Sequence, residues 1–146
     1  MLRKHFGTVV VVDDDAAYRN TVALMLRAIG FEDIKLYENG FDAVEAIEYD
    51  KPDLVISDWD MPILTGIDLL MCMRDDPDLK TVPFILNTGH LDEERWKEAI
   101  ECGVTEFLFK PFGFGDFKDS VLLAMDLSDE DERLEDLGGH EEKLAS

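Results

Sequence analysis

The chain has 146 residues, 46% hydrophobic and 33% charged, with a formal net charge of -20; that suits one domain with its own core and no need of disulfides or a structural metal. Such a charge argues against nucleic-acid binding and adhesion to anionic membranes, which need clustered Lys and Arg, and favours a cation or a basic partner. After the basic start MLRKHF, the apolar run at residues 8–12 is too short for a signal peptide or a membrane span, so a cytoplasmic protein is expected.

Residues 9–12 form a β-branched run that reads as a strand and ends in Asp13, Asp14 and Asp15. Tyr18, Val22, Met25, Leu26 and Ile29 then repeat at helical spacing and stop at Gly30, a natural C-terminal cap. A short strand at 34–37 precedes a second helix marked by Ala43, Val44 and Ile47. The apolar run 54–56 reads as a buried strand that delivers Asp58 and Asp60 on either side of Trp59, and Ile67, Leu70 and Met71 mark the third helix. Residues 83–86 make a fourth strand, followed by Asn87, Thr88 and Gly89, and Trp96, Ala99 and Ile100 mark a fourth helix. The fifth strand, 107–109, ends in Lys110 and Pro111, before a helix carrying Phe117, Val121, Ala124 and Met125.

Unbroken apolar strands imply cover on both faces, and five β-α pairs in succession imply an α/β, doubly wound parallel sheet. From Ser128 the chain turns to SDEDERLEDLGGHEEKLAS, so a domain over 1–127 and an acidic tail over 128–146 are expected, the tail extending the last helix before breaking at Gly138 and Gly139. Cys72 and Cys102 each lie on an apolar helix face and read as reduced, buried thiols.

In open α/β sheets ligands bind beyond the carboxyl ends of the strands. Taken singly, the acids after the first strand suit a solvated turn with a helix cap, Thr88 suits a cap, and Lys110 suits the surface. Together they make a different inventory. Asp13, Asp14 and Asp58 at close range repel unless a proton or cation intervenes, and a hard divalent ion with oxygen ligands answers that. Adding the Lys110 ammonium, the Thr88 hydroxyl and backbone N–H groups near Trp59 and Gly89 gives what a phosphoryl group needs, with Asp58 as the nucleophile.

In combination, VVDDD, SDWDMP with Gly66 behind it, Asn-Thr-Gly after the fourth strand and FLFKPF resemble a response regulator receiver domain of the stand-alone chemotaxis type, over about residues 8–127. The resemblance implies a flavodoxin-like (βα)5 fold with strand order 2-1-3-4-5. It implies that Asp58 is the phosphoacceptor and that Asp13, Asp14, Asp58 and the backbone carbonyl of Asp60 hold Mg2+, with Mn2+ as the alternative. Thr88 would be the switch hydroxyl and Phe107 the switch aromatic, acting by packing alone. Lys110 would bind a phosphoryl oxygen, with a cis bond to Pro111. Asp60 and His90 would tune the lifetime of the phosphoryl group, and His90 could pair with Asp60.

The implied partners are a histidine kinase or histidine phosphotransfer protein and a downstream target protein, met through the fourth helix, fifth strand and fifth helix, where Trp96, Phe107, Phe114 and Phe117 lie. The spacing of Trp96 with Ile100 favours a buried position; exposed, Trp96 becomes the leading anchor. Signalling would run through protein contacts, without catalysis beyond gain and loss of the protein's own phosphoryl group. Two rivals remain. A haloacid dehalogenase-like phosphatase would use Asp58 as nucleophile, Asp60 as general acid and Asp116 or Asp119 on the metal, although that family sets its acid pair on the first strand. A receiver-like adaptor would act without phosphorylation.

Overall fold

The computed structural model describes residues 6–126, so the reading of an acidic tail over 128–146 lies outside the described residues. Five β-α pairs follow in order: β1 (Thr8–Val12), α1 (Ala16–Ile29), β2 (Asp33–Tyr37), α2 (Gly40–Tyr49), β3 (Leu54–Asp58), α3 (Gly66–Asp75), β4 (Phe84–Thr88), α4 (Glu93–Cys102), β5 (Glu106–Phe109) and α5 (Phe114–Ala124). The strands form one parallel sheet in the order β2-β1-β3-β4-β5, as the resemblance implies.

Alternation along each strand divides the core between two faces. Val9, Val11, Leu54, Ile56 and Ile85 meet Val22 and Leu26 of α1 and Phe117 and Val121 of α5. Val10, Val12, Val55, Phe84 and Leu86 meet α2, α3 and Ala99 of α4. All five residues of β3 and of β4 are buried, which is why those segments read as unbroken apolar runs. β5 differs, because it is an edge strand: Leu108 is buried while Phe109 is 54% exposed. Among the described residues no helix is long and apolar enough to cross a membrane.

Local signals set the loops that matter. Asp15 caps α1, its carboxylate accepting from the N–H groups of Ala17 and Tyr18. The ordinary reading of the acidic run therefore holds for its third member and leaves Asp13 and Asp14 for other work. Thr65 and Asp68 form a capping box that starts α3. Beside them, a Cβ on Gly66 would stand 2.4 Å from the Asp58 carbonyl oxygen, so only glycine lets α3 approach the end of β3 this closely.

Several side chains fall elsewhere than the sequence suggests. Phe117, expected on the partner surface, has no exposure, because its turn of α5 faces the sheet. Cys72 is exposed and Cys102 half-buried, so neither is the buried thiol expected. Met71 is exposed while Leu69 and Met73 are buried, a rotation of α3 from the expected stripe. Arg74, which no sequence signal marks, donates to the carbonyls of Val82 (2.8 Å) and Gly103 (2.9 Å), tying α3 to the entry of β4 and the end of α4.

Candidate functional site

The carboxyl ends of β1, β3 and β5 converge on one pocket. Asp13 follows β1 directly and is 1% exposed, while Asp58, the last residue of β3, is 6% exposed. Asp13, Asp14 and Asp58 each offer a carboxylate oxygen within 4.8 Å of the others. Lys110 reaches in from the end of β5, with Nζ 3.3 Å from Asp13 Oδ2 and 3.3 Å from Asp58 Oδ1. Its ammonium also lies 4.2 Å from the centre of the Tyr18 ring, which braces it from α1. The Lys110–Pro111 peptide bond is cis, as expected.

Three carboxylates against one ammonium leave the pocket short of positive charge, and the proton affinities record this. Burial, followed by the charge of Asp13, raises Asp58 to about 6 despite Lys110 and a hydrogen bond from the Asp60 N–H. Burial likewise raises Asp13. Burial pulls Lys110 down, but Asp13 and Asp58 outweigh it and the net shift is upward. Of the backbone N–H groups expected near Trp59, that of Trp59 itself is spent on the Asn87 carbonyl at 2.8 Å, and that of Asp60 donates to Asp58.

Whether Mg2+ suits these residues can be judged from the donor set. All three acids present hard oxygen donors at short range with a deficit of positive charge, the chemistry such an ion prefers. Asn87 adds a second sign. The β3–β4 register pairs it with Asp58, and its Oδ1 is a buried side-chain acceptor without a partner among the described residues. Such an atom beside a charged pocket calls for a donor, as an ion's water shell provides. The residues fit the ion.

A family model for the response regulator receiver domain matches residues 9–122. The chain belongs to the response regulator receiver family. Chemotaxis protein CheY-3 of Vibrio cholerae is 33% identical over 113 residues, covering 77% of this chain and 87% of that protein. Chemotaxis protein CheY of Pseudomonas aeruginosa is 33% identical over 104 residues, covering 71% and 84%. Among solved structures, CheY4 of Vibrio cholerae superposes with a TM-score of 0.75 at 26% identity, over 80% of this chain and 96% of that one.

On the other side of the receiver's pocket, Thr88 is fully buried. It continues the alternation of Phe84 and Leu86 toward α4, and its hydroxyl donates to the His90 carbonyl at 2.7 Å. Phe107 is half-buried against the same core face. The expected Asp60–His90 pair does not form: His90 Nε2 lies 3.2 Å from Asp92 Oδ2, within its own loop. Asp60 instead binds Arg95 of α4 at 2.6 Å, and this hydrogen bond holds the Asp60 carboxyl below its ordinary range. Sequence reasoning missed Arg95 altogether. Asp116 and Asp119, the metal ligands of the phosphatase reading, line a cleft between β5 and α5 and do not enter the acid cluster.

Of the residues expected at the partner face, Phe114 is 41% and Trp96 50% exposed, so the burial favoured for Trp96 gives way to a surface position. Acrylamide is expected to quench Trp96 strongly and the 5%-exposed Trp59 weakly. Trp96→Phe should therefore remove most of the quenchable emission, and unchanged quenching would contradict the exposure.

Proposed function

We propose that Asp58 accepts a phosphoryl group from the phosphohistidine of a histidine kinase or histidine phosphotransfer protein, and that the acyl phosphate alters which surface the receiver offers to a downstream protein. The observation that carries this reading is a buried carboxylate, Asp58, with Lys110 Nζ at 3.3 Å and two further acids beside it. An Asp58 oxygen attacks phosphorus in line; the O–P bond forms as the N–P bond breaks, and the imidazole nitrogen leaves with its electron pair. Lys110 balances charge on a phosphoryl oxygen, and Tyr18 keeps the ammonium from swinging to solvent. Asp13, Asp14, Asp58 and the backbone carbonyl of Asp60 would hold Mg2+, or Mn2+ in its place. The bound ion would supply the remaining positive charge on the phosphoryl oxygens.

Phosphorylation draws the Thr88 hydroxyl from the His90 carbonyl toward the new anion, and the space it leaves on the α4 side is taken by the Phe107 ring. The face carrying Trp96, Phe107 and Phe114 then changes shape. Its output is contact with a protein, in keeping with the charge of -20 and with the chemotaxis role that the names of the relatives carry. The chain acts as a signalling protein, and its only chemistry is gain and loss of its own phosphoryl group.

Intact mass after incubation with acetyl phosphate should show one added phosphoryl group with Mg2+ and none with a chelator. Steady turnover of a soluble phosphomonoester without an adduct would replace this reading with the phosphatase. Neither adduct nor phosphate release would leave the adaptor.

A further inference from the structure

Arg95 belongs to α4, yet its guanidinium lies among residues that flank the phosphoacceptor. Nη2 is 2.6 Å from Asp60 Oδ1 and Nη1 3.3 Å from Asp60 Oδ2, a two-pronged grip. Nη1 is also 3.3 Å from Thr88 Oγ1 and 3.3 Å from the His90 carbonyl. The guanidinium carbon sits 4.7 Å from the centre of the Trp59 ring. One side chain thus touches the two residues after Asp58, the switch hydroxyl and the loop beyond it.

The physical problem it meets is the charge of Asp60. A bare carboxylate two residues from the phosphoacceptor would repel an anionic donor on approach and the phosphoryl group once attached. Gripped by Arg95, which is 27% exposed on its side chain, that carboxylate becomes half of a neutral pair. The same guanidinium donates to Thr88 while the hydroxyl is turned toward α4, so movement of Thr88 to the phosphoryl group breaks a contact with that helix.

We propose that Arg95 is a positioning residue for phosphoryl transfer, cancelling the Asp60 charge at the pocket mouth and linking α4 to the state of Thr88. This rests on the function proposed above. The test is the initial rate of phosphorylation by acetyl phosphate with saturating Mg2+, followed by intact mass, for the wild type, Arg95→Gln, Asp60→Asn and the double variant. Arg95→Gln should be slower by about tenfold, mainly through a higher half-saturating donor concentration, and the deficit should shrink as salt is raised. Adding Asp60→Asn should return the rate to within about twofold of Asp60→Asn alone, which a merely structural role for Arg95 would not allow. Arg95→Lys, which keeps the charge and perturbs folding least, should stay nearer the wild type than Arg95→Gln. A wild-type rate in Arg95→Gln, or a deficit that Asp60→Asn leaves in place, overturns the proposal. A wild type that takes no phosphoryl group overturns the function beneath it instead, and the two failures are told apart by that one lane.

Discussion

Asp58→Asn is expected to abolish the acyl phosphate and, in the metal-free protein, to raise stability at pH 8 by up to about 3 kcal/mol. The first effect follows from removing the nucleophilic oxygen. The second follows from the environment of the carboxyl: burial and Asp13 raise it to about 6, against an ordinary value of 3.8. A carboxyl that holds its proton more tightly when folded supports the fold fully below pH 4, and that support drains as pH climbs through 6. The window is about two pH units wide, and each is worth about 1.4 kcal/mol. The neutral amide has no such slope. Urea unfolding with a chelator at pH 5 and pH 8 should show the two proteins diverging as pH rises, and parallel curves would mean that Asp58 is not strained by its neighbours. Adding Mg2+ should narrow or reverse the gap, because the wild type gains a ligand that the variant holds less well. The carboxylate that costs stability in the metal-free protein is one of those that would hold the ion.

That coupling of cost and function explains why the pocket could be read from sequence. Asp58 after an apolar strand conflicts with burial, and so does Asp13; local rules broken at several strand ends at once point to a site. The fold was legible for a related reason. β3 and β4 are buried along their whole length, so composition alone marks them. β5 was legible only as a run of Phe, since nothing in FLF says that it sits at an edge with Phe109 turned outward.

What escaped depends on rotation and on distance along the chain. Helical spacing groups Trp96, Ala99 and Ile100 on one stripe, but α4 rests on the sheet through small Ala99, leaving Trp96 and Ile100 exposed at its margins. The partner of Asp60 was misplaced because Arg95 stands 35 residues away and no short-range pattern links the two. His90, nearer the site in sequence, is held instead by Asp92 in the loop that starts α4. Asn87 is a third case. The sequence places it at a strand end without a task, whereas the register sets it beside Asp58 with an oxygen that has no partner among the described residues.

Phe117→Ala is expected to cost about 3–5 kcal/mol of stability, the range for emptying a fully buried aromatic site, while Phe114→Ala should cost less than about 1 kcal/mol. The contrast turns on one turn of α5. Phe117 has no exposure and stacks on Phe112 with ring centres 5.7 Å apart, whereas Phe114 is 41% exposed. Phe112 in turn faces Tyr18 at 6.0 Å, and Tyr18 carries the Lys110 ammonium on its ring. Loss of the Phe117 ring therefore empties the core and slackens a chain of aromatic contacts that ends at the phosphoryl pocket. Phosphoryl gain by Phe117→Ala should accordingly fall even well below its unfolding midpoint, while Phe114→Ala keeps the wild-type rate and changes only what the exposed face can bind. Urea midpoints measured side by side are the check. Equal losses for the two variants would return Phe117 to the surface, where the family resemblance had put it.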